Sequence, residues 1–261
     1  MNPAYTALLG LVQGLTEFLP VSSSGHLVMA QSLMPGFRQP GVVFDVSLHM
    51  ATLGAVLAYF WRDVTRVVGS LAPGGDREGR RLALWLVAGT VPTGLIGVLF
   101  GGPLEALFGY PRIAAAMLLV TGTLLWVSEA VSRPRDGLAR FGLARSLAVG
   151  TVQGLAIVPG ISRSGSTIAA ATLLGVRAEA AARFSFLLSV PAILGAVALQ
   201  IPHVGRVPAS ALGAYGAGMG AAFVSGLVAI RVLMGAIRAG RFRWFAVYCW
   251  AVGLGYLLLG P

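Results

Sequence analysis

Residues 13–26 read QGLTEFLPVSSSGH, and residues 153–166 read QGLAIVPGISRSGS. At a constant offset of 140, without a gap, Gln13, Gly14 and Leu15 fall on Gln153, Gly154 and Leu155. Ser22, Ser24 and Gly25 fall on Ser162, Ser164 and Gly165, and further on Phe44 and Leu48 meet Phe184 and Leu188. A chain that restates itself over most of each half is built from two copies of one unit. The copies also differ: Glu17 faces Ile157, Ser23 faces Arg163, and His26 faces Ser166. Like frames with unlike side chains are expected where both copies contribute to one site.

Each copy opens on a broken apolar stretch. Residues 4–19 are apolar and helix-like; Pro20 then stops the run, and Ser22, Ser23 and Ser24 offer N-caps for a second helix to about Leu33. Each arm reaches only about 18–24 Å, short of a hydrocarbon core of roughly 30 Å. Two short arms around a polar turn predict a re-entrant helical hairpin, and residues 144–158 and 164–175 repeat it around Pro159 and Gly160. Composition names the solvent. Hydrophobic residues make up 56% of the chain and charged residues 11%, where a soluble domain carries about 25% charged. The mean hydropathy is +0.82. The chain is therefore read as an all-α integral membrane protein. Full spans are expected at 43–61, 82–100, 112–131, 184–201, 209–230 and 244–260, six in all beside the two hairpins. They form one membrane domain over 1–261, with repeat one at 1–131, repeat two at 141–261 and a joining loop at 132–140.

The formal charge is +10, and all 19 basic residues are arginine. In a membrane chain, basic loops set topology, so nucleic acid is not expected as a partner. With loops 62–81, 132–145, 177–183 and 231–243 on the cytoplasmic side, that side holds 15 arginines, the other only Arg38, Arg112 and Arg206, and Arg163 is left inside the membrane. The loop at 100–112 is expected to contain Pro103 and Pro111, and Pro35, Gly36 and Pro40 to break the chain after the first hairpin. This orientation brings the first hairpin in from outside and the second from the cytoplasm, an inverted repeat with discontinuous helices around a shared midplane site. The N-terminus lacks the features of a cleaved signal peptide and is expected to be retained. Cys249 stands alone, and no GxxxxGK[ST], HExxH or CxxC pattern is present.

Two helix starts facing each other present free N–H groups and positive dipole ends, an anion pocket. Arg163 adds a planar fork suited to two phosphate oxygens, or serves as counter-ion to Glu17. Glu17, Ser23 and His26 opposite an arginine suit phosphoryl transfer, in which positioning and charge neutralisation supply most of the catalysis. Asp45 and His49 either line the mouth of the site or sit at the interface. Gly213, Gly216 and Gly220 are expected as helix-packing positions.

At these residues the chain resembles a known family. QGLTEFLPVSSSGH with PGISRSGST, and FSFLLSVPAILGA at 184–196, are similar to the undecaprenyl-diphosphate phosphatases, bacterial membrane enzymes linked to bacitracin resistance, over essentially the full chain. The resemblance implies hydrolysis of a C55 isoprenyl diphosphate lipid to its monophosphate, recycling the carrier for peptidoglycan and other envelope polymers. It implies a multi-pass protein of the bacterial cytoplasmic (inner) membrane whose active site opens to the outer, periplasmic side. It also implies a divalent cation, magnesium or calcium, with Glu17 as candidate ligand. The family's glutamate-rich motif falls on Gln13 and Glu17, its serine–histidine segment on Ser22, Ser23 and His26, and its arginine motif on Ser162, Arg163 and Ser164. Glutamine at the first acidic position turns Gln13 from acid–base chemistry to substrate binding, with Ser22, Ser24, Gly25, Ser162, Ser164, Gly165 and Thr167. The catalytic candidates are Glu17, Ser23, His26 and Arg163. Ser23 activated by His26 is the favoured nucleophile, with His26 itself or water as the alternatives, and Glu17 orients the histidine or holds the cation. A second reading is transport: inverted repeats also build lipid-phosphate flippases and anion transporters, and the fold alone does not choose. Glycine-rich spans allow oligomers.

Overall fold

The computed structural model describes residues 3–33, 42–132, 136–204 and 208–261. Pro35, Gly36, Arg38, Pro40, Arg133, Arg135 and Arg206 lie outside them. The first broken hairpin is α1 (Pro3–Phe18) and α2 (Ser23–Ser32), the second α7 (Gly142–Leu155) and α8 (Arg163–Leu173). Between them run α3 (Val42–Tyr59), α4 (Trp61–Gly69), α5 (Arg77–Glu105) and α6 (Pro111–Val131). After them come α9 (Ala178–Val204), α10 (Leu212–Arg238) and α11 (Arg243–Leu259). No strand is formed among the described residues. Four helical stretches, built on α5, α6, α9 and α10, are long and apolar enough to cross a bilayer, and α3 with α4 makes a fifth if a pair bent by 81° counts as one. The expected span at 244–260 is α11, apolar but only 17 residues long. The α5 helix turns Leu84, Val87, Val91, Leu95 and Val98 outward at helical spacing, an apolar stripe that fits lipid as its solvent.

Four expected loops prove shorter than drawn. The polar stretch 62–81 holds α4, and α5 starts at Arg77 because Asp76 caps it, its carboxylate accepting from the N–H groups of Glu78 (3.2 Å) and Gly79 (3.1 Å). Arg66 donates to that carboxylate at 2.5 Å, holding the carboxyl below its usual range. Pro103, expected in a loop, lies inside α5, as does Pro92; Pro111 opens α6 at its first turn. Arg183 stands on α9 rather than in a turn, since Arg177 N–H donates to Asp136 C=O (2.9 Å) and the helix begins directly afterwards. The α10 helix runs to Arg238. There Gly240, at φ +63°, closes a Schellman end in which Arg241 N–H reaches Ala236 C=O (2.9 Å) and Gly240 N–H reaches Ile237 C=O (3.1 Å).

The halves are not side by side but interlocked. The first arm, α1, packs chiefly on α10 of the other half, and its counterpart α7 packs chiefly on α5. Both contacts run parallel: Gly10 lies against Gly218 and Gly14 against Ala222, Ser225 and Gly226, while Gly150 lies against Gly89 and Gly154 against Ile96. Gly10 and Gly150, like Gly14 and Gly154, are equivalent at the offset of 140. In each pair a Cβ would collide with the opposing helix, so small residues here let backbones touch. Gly213, Gly216 and Gly220 do not act in this way: a Cβ on any of them would meet nothing, and the packing glycines of α10 are Gly218 and Gly226. A helical pattern cannot say which face of a glycine-rich span is turned inward. Gly10→Val and Gly150→Val are each expected to cost about 1–3 kcal/mol through overpacking, a fall of roughly 2–12 °C in melting temperature. Gly213→Val is expected to leave it unchanged, and thermal melts of the purified variants in detergent test all three.

Ion pairs bring several helix ends to one face of the bundle. Arg183 at the start of α9 pairs bidentately with buried Asp63 of α4. Arg238 at the end of α10 lies 3.3 Å from Glu179, and Arg243 at the start of α11 lies 3.3 Å from Glu129 near the end of α6. At the opposite ends of α6 and α11, Arg112 donates to Leu257 C=O at 3.0 Å.

Candidate active site

Each hairpin breaks at a short polar turn, and the two turns touch. A Cβ on Gly25 would stand 2.9 Å from the Cα of Gly160, and one on Gly165 would stand 3.1 Å from the ring of Pro20. Ser164 Oγ donates to Leu19 C=O at 3.2 Å. Thr121 of α6 fastens the second turn: its Oγ1 donates to Gly160 C=O (2.8 Å) and accepts from Ser162 N–H (3.0 Å). Gly160 sits at φ +92°, where glycine is at ease. Ser22 is at φ +67°, the one non-glycine residue at positive φ among those described, a costly conformation that neighbouring structure must hold.

The caps are equivalent in the two copies. Ser22 Oγ accepts from Gly25 N–H at 3.3 Å, and Ser162 Oγ accepts from Gly165 N–H at 3.1 Å. Ser24 lies 3.2 Å from Ser22, and Ser164 lies 3.3 Å from Ser162, hydroxyl to hydroxyl. Ahead of each capped glycine, the first N–H groups of α2 and α8 have no intrahelical acceptor. Thr167 stands apart from the turns: its hydroxyl bonds Arg163 C=O at 2.8 Å and Ser185 Oγ at 2.5 Å, tying α8 to α9.

Glu17 is the hub. It is i+4 from Gln13 on one face of α1, and the two side chains touch: Gln13 Nε2 donates to Glu17 Oε2 at 2.9 Å. Ser23 Oγ donates to the same oxygen at 2.6 Å. The other oxygen, Oε1, pairs with the Arg163 guanidinium and has His49 Nδ1 at 3.6 Å. Gln13 Nε2 also reaches His49 Nδ1 at 3.1 Å. Glu17 is 5% exposed and Gln13 fully buried, whereas the Arg163 side chain remains 22% exposed. A carboxylate this deep is tolerable only with charge-assisted partners. Here a residue of the second copy supplies the charge.

The structure thus brings Gln13, Glu17, Ser23 and Arg163 together, and adds His49, for which the sequence left two readings. His26 turns elsewhere. Its Nδ1 donates to Ser22 C=O (2.8 Å), and its Nε2 accepts from the hydroxyl of Tyr248 (2.8 Å), whose ring it stacks on at 5.6 Å and 9°. The expected activation of Ser23 by His26 is therefore not the arrangement seen, since the hydroxyl proton of Ser23 points to Glu17. The reason is local: with Nδ1–H bound to the carbonyl one turn back, the imidazole is swung toward α11. Tyr248 lies in an apolar span with no pattern around it that marks it as a partner. Thr121, equally unsignalled, is only one hydroxyl among several in the spans.

Matching the chain to known families decides what this constellation belongs to. The family described as "Bacitracin resistance protein BacA" matches residues 6–255. The chain belongs to the BacA family. An "Undecaprenyl-diphosphatase" of Desulfatibacillum aliphaticivorans is 45% identical over 269 residues, 96% of each chain. That of Desulfosudis oleivorans is 45% identical over 278 residues, all of this chain and 99% of its own. That of Syntrophotalea carbinolica is 44% identical over 255 residues, 97% of each. The match to the BacA family takes in both turns and every residue of the Glu17 cluster.

Proposed function

We propose that this protein hydrolyses undecaprenyl diphosphate to undecaprenyl phosphate and inorganic phosphate, returning the lipid carrier to envelope-polymer synthesis. The carrying observation is the Ser23–Glu17–Arg163 cluster where two helix starts meet, in a chain similar along its whole length to relatives named for that activity. The helix starts and the partly exposed Arg163 fork take the terminal phosphate. Glu17 accepts the Ser23 proton as Oγ attacks the terminal phosphorus; the Oγ–P bond forms while the bridging P–O bond breaks. The departing lipid monophosphate is stable as an anion and needs no proton. Water then displaces Ser23 Oγ, which regains its proton from Glu17, and the proton of the attacking water leaves with the solvent. His26, with Tyr248 behind it, flanks the substrate from the α11 side.

A divalent cation has no ready-made cage: among the described residues no group of three or more His, Cys, Asp or Glu side chains stands together. Gln13 Oε1 is buried with no hydrogen-bond partner, a hard oxygen beside the Glu17 carboxylate. These two groups fit an ion that brings phosphate oxygens as its other ligands, where it would neutralise charge on the diphosphate.

The same reading covers the architecture. Six crossings comprise α3 with α4, α5, α6, α9, α10 and the short α11, with α1–α2 and α7–α8 re-entrant. Repeats 1–131 and 141–261 are inverted about the joining loop 132–140. Supporting this, α1 runs parallel to α10 and α7 parallel to α5, while the start of α5 and the end of α10 both lie among the arginine-bearing ends. The hairpins then enter from opposite sides. The arginine-rich face is cytoplasmic, and the site opens outward from the bacterial inner membrane. Phosphate release by the purified protein from C55 diphosphate, with and without magnesium or calcium, tests the reading. Release that chelator abolishes is expected; no release by folded protein with either cation would overturn it.

A further inference from the structure

Among the described residues, Ser23 and Gln13 bond Glu17 Oε2, Arg163 bonds Oε1, and His49 stands 3.6 Å from Oε1. That division has a consequence once substrate binds. A diphosphate entering between the helix starts competes for the Arg163 fork, and a bond it makes to Nη2 is taken from Oε1. From this geometry we infer that His49 is a positioning residue of the catalytic site: by accepting from the Gln13 amide it keeps that amide on Glu17, and so the carboxylate in plane and on Ser23, while Arg163 engages the phosphate. The inference rests on the phosphatase reading above and adds a residue to it.

Three observations carry it. First, His49 reaches the cluster from α3, an element otherwise uninvolved, and is braced there: Phe44 and Leu48 on the same helix are fully buried against Leu9 and Ala222. Rotation of α3 is thereby set so that Nδ1 meets Gln13 Nε2 at 3.1 Å and Glu17 Oε1 at 3.6 Å. Second, Gln13 is shared. Its one amide nitrogen donates to both Glu17 Oε2 and His49 Nδ1, so the imidazole is linked to the carboxylate through the amide, without Arg163. Third, the repeat carries the pairing as a unit. At the offset of 140 Gln13 keeps its counterpart, Gln153, but Ile157 stands for Glu17 and Ser189 for His49. Where the carboxylate is absent the imidazole is absent too, and Ser189 bonds within its own helix, to Phe186 C=O at 2.7 Å.

The test uses the purified full chain, C55 diphosphate and cation, with thermal melts to confirm folding. His49→Ala is expected to lower kcat by about ten- to a hundredfold, the scale of a small misplacement of a reacting group, with KM within about threefold. His49→Asn, whose amide oxygen takes the place of Nδ1 as acceptor, is expected to recover most of the loss. Should the alanine variant not fold, His49→Phe fills the space without an acceptor and takes its place. Unchanged kcat, a loss confined to KM, or an asparagine variant no better than alanine would each overturn the inference. An inactive wild type would instead remove the phosphatase reading on which it rests.

Discussion

Arg163→Ala is expected to lower phosphate release from C55 diphosphate by about a thousandfold or more, the scale on which arginines act in phosphoryl transfer. It is the charge at the meeting of two helix starts, with a planar fork for two phosphate oxygens and a side chain 22% exposed. Because it also neutralises Glu17, its removal leaves a carboxylate buried beside Gln13 and Ser23, a change that costs about 3–5 kcal/mol. The variant should therefore melt lower as well, and activity must be compared below its melting point. Arg163→Lys separates the two roles. Lysine keeps the charge that Glu17 needs but not the bidentate fork, so stability is expected to recover more fully than kcat. If a well-folded Arg163→Ala protein still releases phosphate at a tenth of the wild-type rate, the anion pocket is elsewhere.

Ser23→Ala is expected to reduce kcat by a comparable factor, with little change in stability, since it removes one hydroxyl from a half-buried position and leaves the Ser22 cap intact. Glu17→Gln should fall nearly as far, and the double variant no further than the worse single one. Residues that act as one unit are not additive, and Ser23 Oγ and Glu17 Oε2 are 2.6 Å apart. Single-turnover measurements with labelled diphosphate add a direct sign: label held on wild-type protein and absent from Ser23→Ala marks the phosphoserine. The same variant bears on the transport reading. A flippase needs no nucleophile, so lipid movement that survives Ser23→Ala would show a second activity, whereas phosphate release that survives it would point to direct attack by water.

How much of this was legible beforehand varies by residue. Ser22 and Ser162 announce themselves as caps because capping is local: the hydroxyl reaches an N–H three residues on, and the sequence contains both partners. The breaks at Pro20 and Pro159 are local for the same reason, and the repeat makes each the confirmation of the other. Asp76 could have been found by that logic, as a cap six residues ahead of the apolar run that starts at Leu82, and with it the true start of α5. Other features had no such signal. Gly213, Gly216 and Gly220 are as regular as Gly10, Gly14, Gly150 and Gly154, yet only the latter are pressed against a neighbouring helix. Spacing shows that a face exists, not whether it is turned to lipid or to protein.

By itself, then, the sequence determined the solvent, the duplication, the broken arms and the residue types at the turns. Each of those follows from hydropathy or from interactions spanning a few residues. Only the tertiary structure decided partners. Glu17 meets Arg163 across 146 residues and His26 meets Tyr248 across 222, through the rotation and depth of helices packed by unrelated contacts. The first arm lies against α10, and α7 against α5, because glycine faces on opposite halves fit. A side chain's period fixes the face it shares with its neighbours along the helix, but which distant helix that face meets is set by the packing of the whole bundle.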